Sequence, residues 1–363
     1  MIAYIAVDAL LILFYLLTAR RKEEVSEQQK KKINLFLILC FAVLFFISAF
    51  RGDFTMDYVG YEDIYNRYLN FSLSDIFTGR VSSYPEIGYV IFQYIVKTLF
   101  GNPLFIFVFS TILILVSHMN EINRNFPSHL LPLIIFVEMG NYYTSFNVMR
   151  QIMAVSIVIW SIRYIEQRKF IKYVIVIMIA ATFHTSAIFM LPMYFLLNLR
   201  FGKAGVLVVI GGTAVVMIFL PQIVTLISKF YWDWYDIEGL LSSGYSYKNV
   251  VGPAFLSLVP IIKHLCSSKK EDDRRNIWLN GTYIYLALSI LGLRVAMVSR
   301  IAMFFSIFAT LAFTQAIYDI REKLSDSQKR SIFTIGVIGL VLLYGFVVKE
   351  GSGYDPYYFI WQR

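Results

Sequence analysis

Arg51, Asp53, Asp57, Glu86, Asn147, Arg150, Gln151, His184, Ser186, Arg294 and Arg300 stand out in a chain that is otherwise strongly apolar. Their types suggest one kind of chemistry. Guanidinium groups bind phosphate oxygens through paired N–H donors. A carboxylate or an imidazole can take a proton from an attacking hydroxyl. Fixed cations beside a base suit group transfer from a phosphate- or pyrophosphate-bearing donor to an alcohol. Asp53 or His184 would take the hydroxyl proton in that scheme. Arg150, with Arg294 and either Arg51 or Arg300, would stabilise the leaving pyrophosphate, which is the work a metal does elsewhere. Asp57, Glu86, Asn147, Gln151 and Ser186 would hold the substrates. Each residue also has a plainer duty open to it: an arginine at a membrane edge can snorkel, and a lone histidine can be structural.

The elements that must position these residues are membrane helices. The chain has 363 residues, of which 58% are hydrophobic and only 16% charged, with a mean hydropathy of +0.63. A soluble domain runs nearer half apolar and a quarter charged, so this is an integral membrane protein. The apolar residues lie in long runs, such as Ile2–Ala19, Ile33–Phe50, Leu104–Val116, Val206–Leu220, Ile277–Leu293, Ile301–Ile317 and Ile332–Val348. Each approaches the ~20 residues that cross a bilayer. The expected fold is all-α: a polytopic helical protein of about 11–13 spans, residues 1–363 forming a single membrane domain.

The net charge of +9 is not gathered on a basic surface, so no nucleic-acid partner is expected. It sits in short loops at 20–32, 166–172, 267–276 and 319–330. The positive-inside rule assigns those loops to the cytoplasm. Outer loops then fall at 51–85 and 222–250, and the N-terminal run reads as a retained first span with its N-terminus outside. Asn147–Ile165 runs inward, Ile171–Phe183 outward and Ser186–Leu199 inward again. Leu130–Val137 is short, and reads as a re-entrant or surface piece. Cys40 and Cys266 lie in or beside apolar spans and make no disulfide framework. His118, His129 and His264 have no metal-ligand spacing, and no Walker, Rossmann or zinc pattern occurs, so no metal or cofactor is expected.

On this topology the polar residues named above all fall at the outer ends of their spans. Convergence from separate spans is what a site opening to the outer leaflet would require. Asn147, Arg150, Gln151 and Ala154 stand at i, i+3, i+4 and i+7, one stripe of a helix. An arginine in a helix's first turn is repelled by that helix's own dipole, so it needs an anion. Asp53 or Asp57 would supply it in a structural pairing, and a lipid pyrophosphate in a functional one.

The motifs R51-G-D53 with D57-Y58 and Y61, E86-x-G88-Y89, N147-x-x-R150-Q151-x-x-A154 and H184-x-S186-A187 resemble the EpsG family. These are multi-span proteins of bacterial exopolysaccharide, capsule and O-antigen loci, regarded as polymerases of the Wzy kind. The resemblance implies a GT-C-type fold in the bacterial cytoplasmic membrane. It also implies transfer of a growing glycan from undecaprenyl pyrophosphate onto a lipid-linked repeat unit, alongside a flippase and a chain-length regulator. The reading is an inverting, metal-independent glycosyltransferase acting outward. Rivals are a ligase using the same donor and a transporter or flippase of lipid-linked sugars, though the internal repeats common in transporters are missing from this sequence.

Overall fold

The computed structural model describes residues 2–18, 27–67, 71–78, 86–127, 129–139, 141–200, 202–231, 247–267, 272–351 and 356–362. The centre of the expected outer loop 222–250, the end of the expected outer loop 51–85 from residue 79 on, and most of the expected cytoplasmic loop 20–32 lie outside the described residues. Among the described residues the regular elements are all helices, apart from an isolated antiparallel bridge between Arg51 and Phe359.

In chain order the first helices are α1 (Ile2–Thr18), α2 (Glu27–Ala49), α3 (Met56–Arg67), α4 (Leu73–Phe77), α5 (Ile87–Phe100) and α6 (Leu104–Asn125). There follow α7 (Leu131–Glu138), α8 (Asn141–Thr144), α9 (Met149–Ile159), α10 (Ile162–Glu166), α11 (Phe170–Ala181) and α12 (Met193–Leu197). The last are α13 (Ala204–Tyr231), α14 (Lys248–Cys266), α15 (Asp273–Leu291), α16 (Ala296–Ala302), α17 (Ser306–Glu322) and α18 (Ser327–Gly351). Among the described residues five stretches are long and apolar enough to cross a membrane: 104–125, 204–226, 249–266, 296–322 and 327–350. Shorter apolar helices cover 2–18, 34–49, 87–100 and 170–181. The protein is a polytopic helical membrane protein.

The chain packs as two compact units. The first comprises residues 1–161, 174–188 and 321–363. Its spine is α6, which buries Ile106, Ser110, Ile114, His118 and Ile122 on one side, with Phe107, Thr111 and Leu115 beside them. Those spacings of three and four make one continuous stripe, and α2, α5, α7 and α9 pack on this helix. All of Leu131–Glu138 in α7 is buried, against α1, α6 and α18. Its eight residues rise about 12 Å, far short of a hydrocarbon core of ~30 Å. This segment is therefore a buried short helix, neither a crossing nor a surface piece.

The second unit comprises residues 162–173 and 189–320. Its centre is α15, against which α10, α12, α13, α14 and α16 pack. Asp272 caps this helix by accepting from the Arg275 N–H at 2.8 Å. Gly281 lies where a Cβ would overlap the Phe308 ring, so the missing side chain allows α15 and α17 to approach closely. Lipid takes the opposite role at α13, where Leu207, Val208 and Ile210 are exposed.

Two expected spans are not continuous helices. Ser186–Leu199 splits into a 3-10 turn at Thr185–Met190 and the short α12, because Pro192 has no N–H to continue the ladder. At the other end of α12 the Asn280 amide meets open carbonyls, those of Leu197 (3.0 Å) and Leu199 (2.6 Å). Asn147–Ile165 is interrupted at Trp160 and Ser161, between α9 and α10.

Candidate functional site

The first unit brings together the N-terminal ends of α5 and α9 and the turn that follows α11. Glu86 precedes α5 as its N-cap residue, but its side chain does not cap the helix. It reaches outward instead. Oε2 accepts from Arg150 Nη1 at 2.7 Å, while Oε1 accepts from the Thr185 main-chain N–H at 3.0 Å. One carboxylate thus ties three separate segments. The Arg150 and Glu86 side chains are 13% and 17% exposed, buried enough to strengthen the pair yet still reachable.

Arg150 lies in the first turn of α9, where its helix dipole opposes a cation, and Glu86 offsets that cost. Glu86 is thus a carboxylate partner of Arg150 beyond the two aspartates that the sequence suggested. Its guanidinium carbon also lies 5.7 Å from the Tyr89 ring centroid. Gly88 makes this junction possible. Its N–H donates to the Thr182 carbonyl at 2.8 Å, and any Cβ would overlap Thr182. Beyond Thr185, the Ser186 hydroxyl lies 2.7 Å from His184 Nδ1, and the Ser186 N–H faces the same nitrogen at 3.4 Å.

Asn147 is not on the α9 stripe. Val148 takes non-helical dihedrals (φ −87, ψ 51), so the helix starts at Met149 and Asn147 stays in the preceding turn. There its carbonyl accepts from the Tyr61 hydroxyl at 2.9 Å. Burial, and next the neighbouring Asp57 carboxylate, push the Tyr61 phenol above its ordinary value, which keeps it a donor. Asp57 itself stands in the first turn of α3, partly exposed. Gln151 and Ala154 are buried within the helical packing.

Arg51 is only 1% exposed. Its Nη1 donates to the Ser48 carbonyl at 2.5 Å, and its guanidinium carbon sits 4.9 Å from both the Phe107 and Phe146 ring centroids. It holds the α2–α3 connection against the core, helped by Thr55, whose hydroxyl donates to the Phe146 carbonyl at 3.1 Å. Two residues along, Asp53 is half-buried and accepts from the Tyr358 hydroxyl at 2.5 Å.

A family model, that of the EpsG family, matches residues 34–359, nearly the whole chain. The chain belongs to the EpsG family. Every polar residue described above, Tyr358 included, lies inside the region matched to the EpsG family. No curated protein and no solved structure matches the chain.

Arg294 and Arg300 of this EpsG-family chain belong to the second unit. Both are exposed, and Arg294 donates to the Met217 carbonyl at 3.2 Å. The connection between them is compact because a Cβ at Gly292 would sit 2.8 Å from the Ser299 Cβ.

Other polar groups escaped the sequence reading. Lys349 of α18 is 1% exposed and meets Asp8 at 2.8 Å and Glu138 at 2.9 Å, pinning α1, α7 and α18 together. In the second unit Lys263 pairs with Asp319, beside a cavity of about 30 Å³ that His264, Arg275, Trp278 and Gln315 also line. A space of that size admits about one water.

Proposed function

We propose that the protein polymerises polysaccharide, joining undecaprenyl-pyrophosphate-linked oligosaccharide repeat units at the outer face of the bacterial cytoplasmic membrane. The observation that carries this reading is the Glu86–Arg150–Thr185 junction, with His184 and Ser186 adjoining, inside an EpsG-family chain. A junction of one carboxylate, one guanidinium and one imidazole at three segment ends has the chemistry of a site for a phosphorylated donor.

In this account a hydroxyl of the acceptor sugar attacks the anomeric carbon of the donor chain. The new C–O bond forms as the bond to undecaprenyl pyrophosphate breaks, with inversion at that carbon. The hydroxyl proton passes to Asp53. Arg150 holds the departing pyrophosphate. A guanidinium carries five N–H donors, more than one carboxylate oxygen uses, so Glu86 can aim the fork without exhausting it. His184 acts as a donor: with Ser186 N–H facing Nδ1, the neutral ring carries its proton on Nε2, which suits a bond to a pyrophosphate or sugar oxygen. Asn147, Gln151, Glu86, Asp57 and Ser186 hold the two glycans.

The test is substitution at constant protein level. Asp53→Asn should leave the protein in the membrane while cells accumulate single lipid-linked repeat units, with polymerisation down by ~10²–10⁴-fold, the usual contribution of a general base. His184→Ala should give a smaller loss. Full-length polymer from both variants would remove this pair from the mechanism.

A further inference from the structure

Residues 356–362 lie along the α2–α3 connection. The Gly52 N–H donates to the Tyr358 carbonyl at 2.7 Å, and the Ile360 N–H donates to the Phe50 carbonyl at 3.0 Å. Tyr357 adds a bond from its hydroxyl to the Ile47 carbonyl at 2.8 Å. Aromatic rings seal the contact: Phe359 stacks on Trp361 with centroids 4.6 Å apart, Phe46 lies 5.3 Å from Phe359, and Phe54 lies 5.6 Å from Tyr358. Residues 356–362 therefore form a strap, secured at several points.

The strap reaches Asp53 through one side chain. The Tyr358 hydroxyl donates to Asp53 Oδ1 at 2.5 Å. Its ring lies flat enough against the backbone of residue 52 that any Cβ there would overlap it, which explains why glycine stands between Arg51 and Asp53. Arg51 anchors the connection from the core side and Tyr358 from the tail side, so Asp53 is gripped on both flanks.

We propose that Tyr358 is a positioning residue for Asp53, and that the C-terminal strap is a working part of the polymerase site. The proposal rests on Asp53 as the base of the reaction described above. A carboxylate on a loop samples several rotamers, and a base must lie within hydrogen-bond reach of the proton it takes. The Tyr358 hydroxyl binds one carboxylate oxygen and so restricts the rotamers that the Asp53 side chain can take. Such a residue affects turnover and leaves substrate binding alone, because it acts on the geometry of the reacting group.

The experiment compares Tyr358→Phe with Asp53→Asn and wild type. All are assayed in membranes, fed with lipid-linked repeat units extracted from cells that lack the protein. Phenylalanine keeps the ring against Gly52 and removes only the hydroxyl, so the strap still folds. The expected result is normal protein level, an unchanged KM for the lipid-linked units and a kcat lower by roughly tenfold, less than the ~10²–10⁴-fold for the base itself. Tyr358→Leu, which loses ring and hydroxyl, should fall at least as far. A wild-type kcat for Tyr358→Phe while Asp53→Asn is inactive would overturn the role of the strap alone. A fully active Asp53→Asn would overturn the assignment of the base, and with it the proposal.

Discussion

Glu86, one residue ahead of α5, and Arg150, in the first turn of α9, meet at 2.7 Å across a sequence separation of 64 residues. The pair places a cation where its own helix disfavours it and supplies the anion that makes it tolerable. With Thr185 on the other carboxylate oxygen, Glu86 orients the guanidinium as well as neutralising it.

Arg150→Lys separates clamp from anchor. Lysine keeps the charge and loses the planar fork. Polymerisation should fall severely while the protein accumulates normally, as read by membrane immunoblot and by polymer length on gels. Wild-type polymer from the lysine variant would reduce Arg150 to an interfacial anchor.

Gly88→Ala should act on the site more than on the fold. The added methyl would overlap Thr182 and force the α5 terminus, with Glu86, away from Thr185. Overpacking of this kind costs about 1–3 kcal/mol. Polymer should shorten or vanish while a folded population still purifies. Equal activity per folded molecule would show that the junction tolerates displacement.

Lys349→Met tests the buried cluster that the first unit is built on. Removing the ammonium leaves Glu138 and Asp8 facing one another without their cation. Breaking a buried pair typically costs ~3–5 kcal/mol, so the melting temperature in detergent should drop by several degrees and membrane yield should fall. Removing one acid as well, with Lys349→Met together with Glu138→Gln, returns the cluster to its original formal charge and should recover part of the loss. An unchanged melt of the single variant would mean that the cluster contributes nothing to stability.

Much of this was legible before any coordinates. Polar residues at the ends of apolar runs marked Arg150, His184, Glu86 and Asp53, and the dipole argument required Arg150 to have an anion. That Glu86 meets it was not legible, because Glu86 reaches it only once α5 and α9 both pack on α6. Asn147 fell off the expected stripe because one residue, Val148, leaves helical dihedrals, a local choice that spacing does not encode. Pro192 could have warned that Ser186–Leu199 is broken, but the run's apolar character hid it. Tyr358 and Lys349 were silent for a different reason. An aromatic tail and a lysine at a span end both look like interfacial anchors, and their partners Asp53 and Asp8 lie 305 and 341 residues away.

The orientation has its own test. With Cys40 and Cys266 replaced by serine, a cysteine at Asp63 should react with an impermeant thiol reagent in intact cells, and one at Asp272 should react only after permeabilisation. The reverse pattern would turn the site to the cytoplasm, where the lipid-linked acceptor geometry proposed above no longer applies.

The most direct measurement is reconstitution. The purified protein in lipid nanodiscs, given lipid-linked repeat units from cells lacking it, should convert them to a ladder of lengths in repeat-unit steps. One undecaprenyl pyrophosphate should be released for each linkage formed, and Asp53→Asn should abolish both. Repeat units that remain single, with no undecaprenyl pyrophosphate released by the wild-type protein, would contradict the account.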